Sequence, residues 1–247
     1  MISLCILVRD TPNLYELIDM WRRNYKGEIE LCIADNSTDE GIRQDNKDIS
    51  DVYVPISDKE LFRMGIPWAH NKLAAQCNTY KIAYIDSDEY PVWINPELEK
   101  VFDLNYIVPT IRYDFLTTER IYHFDRYNLS FNQYIDRFDL LIASGEIKGK
   151  SIQDRFYNCR YVQFNGVCHS VFHAPEHFKG NTAGAILLHN KTVRDTKDKK
   201  RMDELIDEQY ARQNVNPRLT SSSMVMQWGR GMIHKYEDFE AFDKAYK

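Results

Sequence analysis

The sequence is poor in the features that mark exported, membrane or nucleic-acid-binding chains. No apolar run in its 247 residues approaches the roughly 20 needed to span a bilayer. The opening stretch, ISLCILV, reads as a strand and lacks the charged region and small-residue cleavage site of a leader. The five cysteines, Cys5, Cys32, Cys77, Cys159 and Cys168, are odd in number and scattered, with no C-x-x-C pair. That speaks against a disulfide framework and for reduced thiols in a cytoplasmic protein. Cys5 and Cys32 sit inside apolar runs, where cysteine behaves as a small hydrophobe. There is no internal repeat and no Gly/Ser/Pro linker, so a single domain over 1–247 is expected. Positive charge is not in excess: the net charge of −5 gives no global reason to bind nucleic acid or an anionic membrane. The local basic run Lys197-Asp198-Lys199-Lys200-Arg201 reads as one solvated helix face.

What is present is an alternation of strands and helices. Ile2–Val8 is a continuous apolar run of strand length. Thr11 and Pro12 suit an N-cap and first helical position, and Leu14, Leu17, Ile18 and Trp21 then recur at helical spacing as far as Asn24. Ile29–Ala34 is a second strand. Val52–Ile56 is a third, placed near an edge by its proline. Ala69–Cys77 reads as a helix and Lys81–Ile85 as a fourth strand. This order predicts βαβ units and an α/β fold, a mostly parallel sheet with helices on both faces. The second half is less regular. Tyr106–Ile111 is expected to be a strand, Arg112–Arg126 a hairpin, Phe131–Ala143 a helix and Tyr161–Phe172 extended. Ala185–His189 is a short buried strand ending on histidine. Asp195–Gln213 and the tail from Tyr236 are expected to be helical.

Ligands of open parallel sheets bind beyond the carboxyl ends of the strands. Three strands here end on acid-bearing tips: Val8-Arg9-Asp10, Ala34-Asp35-Asn36-Ser37 and Asp86-Ser87-Asp88. Parallel strands place all three tips on one edge. Closely spaced carboxylates need a counter-cation, and oxygen ligands of this kind suit Mg²⁺ or Mn²⁺. The plainer explanation of Asp86-Ser87-Asp88-Glu89 is a turn capping the next helix.

In order and spacing, ADNSTDEG, then GIPWAHNKLAAQC, then IAYIDSDE resembles the GT-A glycosyltransferases, especially the family 2 type. The similarity covers residues 1–95 well and the remainder loosely. It implies a GT-A, Rossmann-like fold, with 1–95 binding a nucleotide sugar and an irregular acceptor-side half over 96–247. Val8, Arg9 and Asp10 would approach the base, and Asp35 with Asn36 would bond its polar edge. Asn71 and Lys72 would lie near the ribose or diphosphate, beside His70, which stands where the family often has arginine. Asp86 would meet ribose or metal, Asp88 would ligate Mn²⁺ or Mg²⁺, and His189 at a later strand end would complete the metal shell.

Where one branch of that family carries V-H-E, this chain has Val167-Cys168-His169-Ser170. Serine is no general base at neutral pH, so the role passes to Glu176, with His169 and His173 behind it. The histidines 169, 173 and 177 also have the spacing of a zinc site on a helix, which Pro175 would interrupt. Without a base, a retaining reaction assisted by the leaving phosphate is the alternative. The activity implied is transfer of a sugar, most commonly from a UDP-sugar, to an acceptor hydroxyl on an envelope glycan, a lipid-linked sugar or a hydroxylated base of viral DNA. The negative charge disfavours the nucleic acid acceptor. Two rivals stand beside it. A nucleotidyltransferase making nucleotide sugars usually carries a Gly-rich basic loop after the first strand, whereas Arg9-Asp10-Thr11-Pro12-Asn13 contains no glycine. A non-catalytic nucleotide- or glycan-binding module would bind without turnover.

Overall fold

The computed structural model describes residues 1–11, 14–115, 147–163, 182–189, 201, 204–205, 208 and 236–246. Eight strands form one sheet in the order β3-β2-β1-β4-β7-β6-β8-β5. They are β1 (Ile2–Val8), β2 (Ile29–Asp35), β3 (Val52–Pro55), β4 (Lys81–Asp86), β5 (Glu89–Ile94), β6 (Ile107–Phe115), β7 (Ile147–Asn158) and β8 (Ala185–His189). The helices are α1 (Leu14–Asn24), α2 (Glu40–Ile49), α3 (Asp58–Met64), α4 (Ile66–Ala74), α5 (Leu98–Leu104) and α6 (Phe239–Tyr246).

From β3 through β4 the sheet is parallel. Beyond β4 it is mixed, with β7 antiparallel to both β4 and β6, β8 parallel to β6, and β5 antiparallel to β8. Alternation along the strands sends residues to two cores. Ile2, Leu4, Ile6 and Val8 of β1 join Leu31, Ile33, Ala83 and Ile85 under α1 and α5. Cys5, Cys32, Ala34, Ile82 and Tyr84 face the other way, against α3, α4 and Phe242 of α6. Each large side chain buried in this way contributes about 1.5–3 kcal/mol.

The expected first strand and helix appear as read, with Leu14, Leu17, Ile18 and Trp21 buried on α1. β3 lies at the sheet edge, as its proline required. Two elements follow β2 unannounced by any apolar pattern. α2 has little apolar content and rests on its N-cap, where Asp39 accepts from the Ile42 amide. α3 opens on a capping box between Ser57 and Glu60. α4 begins earlier than the expected helix, because Gly65 at φ 85° turns the chain sharply out of α3 and Pro67 sits in the first turn. Proline is favoured there.

The strand β5 runs through Pro91, with a shift in register between Pro91 and Trp93, at the far edge of the sheet. Tyr161–Gln163 is not extended strand, which corrects the start of the stretch expected over Tyr161–Phe172. The hairpin expected over Arg112–Arg126 is strand as far as Phe115. Its remainder, the helix expected over Phe131–Ala143 and most of Asp195–Gln213 lie outside the described residues. No helix among the described residues is long and apolar enough to cross a membrane.

Candidate functional site

Parallel register brings the tips of β1, β2 and β4 to one edge. Val8 is the partner of Asp35, and Leu7 is the partner of both Ala34 and Asp86. Direct bonds then stitch the tips together. The Asn36 amide donates to the Val8 carbonyl at 2.8 Å. The Asp10 carboxylate accepts from the Thr38 amide at 2.6 Å, the Thr38 hydroxyl at 2.8 Å and the Asp39 amide at 3.0 Å. Burial pushes the Asp10 carboxyl up, yet the bonds from the Asp39 amide and from Thr38 outweigh it and hold the group below its ordinary range. Asp10 itself sits at φ 42°, the left-handed region that aspartate tolerates better than most residues. The Thr11 and Ser87 hydroxyls lie 3.0 Å apart and join the first tip to the fourth strand's turn. Thr11 also donates to the Arg9 carbonyl, and α1 begins only at Leu14.

Several residues expected at a ligand are built into this frame. The side chain of Val8 is wholly buried. Asp35 is buried too, accepting from the Ser37 amide at 2.7 Å, Asn46 at 3.0 Å and the Tyr53 hydroxyl at 3.1 Å. Burial and the adjacent Asp35 push Tyr53 up to about 12. Arg9 donates at 2.6 Å to both Asn36 and Asp58. Asp58 also receives Asn36 at 3.0 Å and Arg201 at 2.5 Å. Burial raises the Asp58 carboxyl, but the Arg9 and Arg201 guanidinium groups bring it below its usual value. Arg201, the last residue of the basic run, is thus folded onto α3.

The acidic turn after β4 divides its three carboxylates. Asp86 accepts from the Tyr84 hydroxyl at 2.8 Å and from Arg155 of β7 at 2.6 Å. Glu89, fully buried at the start of β5, accepts from the same Arg155, from Arg112 at 3.3 Å and from the Asp86 amide at 3.1 Å. Burial raises the Glu89 carboxyl, against the pull of Arg155. The Arg155 guanidinium also lies 4.9 Å above the Tyr84 ring, a cation–π contact. Tyr84 in turn packs on His70 with ring centroids 3.7 Å apart. His70 is buried within α4.

Asp88 goes elsewhere. Its Oδ2 lies 3.3 Å from Nε2 of His189, at the end of β8. The cause is register: His189 is the partner of Glu89 across the β5–β8 ladder, so it stands beside the residue that precedes β5. Asp88 and His189 therefore stand together as a carboxylate–imidazole pair, whereas Asp86 is turned to Tyr84 and Arg155. Among the described residues, Asp86, Asp88 and His189 do not bring their ligand atoms within 4.8 Å of one another.

Lys72 donates to Glu60 at 3.2 Å and lies 4.7 Å over the Trp68 ring. With Arg43, Lys47, Tyr53 and Glu60 it lines an open cavity of about 630 Å³ between α2, β3 and α3. Asn71 precedes it on α4, half-buried. Glu176, His169 and His173 lie outside the described residues. Sequence reading missed Arg155 and Arg112. The signal available was the acid cluster itself, which demanded cations without saying which ones.

No protein-family profile matches the chain, and no curated protein matches it. Solved structures give a distant likeness to S. aureus TarS, a glycosyltransferase. Its residues 1–349 align at TM-score 0.32 and 16% identity, over 47% of this chain and 35% of that one. The same fragment in complex with UDP-GlcNAc aligns at TM-score 0.31 and 16% identity, over 47% and 34%. A further TarS structure aligns at 0.30 and 15%, over 47% and 21%. The aligned part spans about a third or less of those chains.

Proposed function

We propose that the chain is a glycosyltransferase that takes a sugar from a nucleotide-diphosphate sugar, a UDP-sugar first among them, with the help of Mn²⁺ or Mg²⁺. One observation carries the reading: Asp88 in the turn after β4 and His189 at the end of β8 stand 3.3 Å apart. A hard cation of this kind is held by one or two protein ligands and by substrate phosphate oxygens. The pair fits that role, and Asp86, engaged by Arg155 and Tyr84, is left to orient the turn or to meet the ribose. When bound, the ion would supply Lewis-acid stabilisation of the charge developing on the departing diphosphate.

The chain's own groups do the rest. Arg155 and Arg112 lower the repulsion within the acidic corner by pairing with Asp86 and Glu89. The Arg9–Asn36–Asp58 network fixes the mouth between β1 and β2, where Arg9, Asp10 and Asn36 would face the base. Asn71 and Lys72 would serve the ribose or diphosphate from α4. In an inverting transfer, Glu176, or else His169 or His173, takes the acceptor hydroxyl's proton while its oxygen bonds to C1 and the C1–phosphate bond breaks. The acceptor class is a glycan, a lipid-linked sugar or another hydroxyl.

The test is thermal stabilisation and hydrolysis across a panel of UDP- and GDP-sugars, with and without Mn²⁺. Asp88→Ala and His189→Ala are each expected to abolish the Mn²⁺-dependent shift while the unliganded melting temperature stays near that of the parent. Silence of the parent chain toward every UDP- and GDP-sugar would overturn the reading. Unchanged Mn²⁺ dependence in both variants would move the metal elsewhere.

A further inference from the structure

Three cysteines far apart in the sequence meet on the face of the sheet covered by α4. Cys5 of β1 and Cys32 of β2 are register partners, and both belong to the core on that face. Cys77, in the loop after α4, comes down over them. Its sulfur lies 3.5 Å from that of Cys5 and 3.4 Å from that of Cys32, and it also points at the Leu73 carbonyl at 3.4 Å. All three sulfurs fall within 4.8 Å of one another, and no other three Cys, His, Asp or Glu side chains among the described residues do so. None of the three is in a disulfide.

We propose that Cys5, Cys32 and Cys77 form a binding site for a thiophilic d¹⁰ metal ion, Zn²⁺ or Cu(I), apart from the Asp88–His189 corner. The geometry is close to what such an ion needs. Metal–sulfur bonds of about 2.3 Å in a tetrahedral set hold sulfurs roughly 3.8 Å apart, so the thiols need to open by only a few tenths of an ångström. Thiolate donors select soft or borderline ions over Mg²⁺ and Mn²⁺. Cys5 and Cys32 are buried, whereas Cys77 is half-buried, which gives the ion a route in and leaves room for a water as fourth ligand on Zn²⁺.

Glu30, the nearest acid, is already engaged. It accepts from the Asn78 amide at 3.0 and 3.1 Å, and also from Ser3 and the Asn78 side chain. It is thereby kept from competing as a ligand. On binding, each coordinating thiol gives its proton to solvent as its sulfur bonds to the metal. The occupied site would fasten β1, β2 and the loop after α4 together. Cys5 is also the register partner of Tyr84, whose hydroxyl holds Asp86.

The experiment uses the full chain, reduced and stripped of metal. Zn²⁺ and Cu(I) are titrated against competing chromophoric chelators, and Co²⁺ serves as a spectroscopic probe. One equivalent of Zn²⁺ or Cu(I) per chain is expected, and the tighter arm identifies the ion. Co²⁺ should give the thiolate charge-transfer absorption that a His–Asp site lacks. Cys77→Ser should weaken binding at least tenfold, and in the parent chain bound metal should protect Cys77 from alkylation as read by mass spectrometry. The protection measurement stands even where the variant fails to fold. Failure of both ions to bind, Co²⁺ binding without thiolate absorption, or alkylation of Cys77 unaffected by metal would each overturn the proposal.

Discussion

Arg155 is 3% exposed and holds both Asp86 and Glu89, so deleting its charge strands two carboxylates in the interior. Arg155→Met is expected to lower stability by about 3–5 kcal/mol, the usual cost of breaking a buried ion pair from one side. Urea unfolding checks this, and Arg155→Lys should recover only part, because an ammonium lacks the guanidinium fork. Asp10 makes a different prediction, one in pH. Its carboxyl is held below its ordinary value of 3.8, so the folded state favours the ionised form. That contribution is complete above 3.8 and is lost as the pH falls through the lower, folded-state value. The urea midpoint of the parent should therefore drop as the pH goes below about 4. Asp10→Asn should be less stable at neutral pH and show a shallower drop. At this scale the sequence placed Asp88 and His189 at strand termini, because a motif and a strand-end histidine both mark them, and the structure sets the two side by side. Arg155 was not legible, since an arginine in a polar run carries no sign of which acid it will meet.

Among the elements, the junction of α3 and α4 has the narrowest tolerance. Gly65 serves at once as the C-cap of α3 and the N-cap of α4, at φ 85°. A side chain there is strained whatever space surrounds it. Gly65→Ala is expected to cost about 1 kcal/mol or more, measured by thermal melting. The element reading succeeded where periodicity was strong, as in β1, α1 and β8. It gave no strand at β5, whose Pro91 is accommodated by a register shift on an edge strand. It failed again at β7, whose run Lys148-Gly149-Lys150-Ser151-Ile152-Gln153-Asp154 lacks an apolar face. That strand is held by β6 along its length and by β4 at its end.

For the molecule as a whole, Phe156 of β7 packs a strand from the later part of the chain onto two helices from its first half. It meets Trp21 of α1 at 6.2 Å and Phe102 of α5 at 5.9 Å, both edge-on, from a strand bonded to β4 and β6. Phe156→Ala should cost about 3–5 kcal/mol. Unfolding followed by circular dichroism and by tryptophan fluorescence should still coincide, as expected for one cooperative unit. A split into two transitions would show that the parallel and mixed parts of the sheet fold independently. The α/β class and the parallel half were readable in advance because βαβ order dictates them. The mixed half depended on pairings between strands distant in sequence, which no local pattern encodes.

The bracing of the acidic turn by Arg155 bears on recognition. Asp86 and Glu89 have their positions from the fold itself, and Thr11 is tied to Ser87 between them. The conformational entropy of that turn is surrendered when the chain folds, before any donor arrives. On the proposed function, a ligand entering beside Asp88 would meet a rigid wall, and its affinity would register the contacts it makes rather than the ordering of a loop.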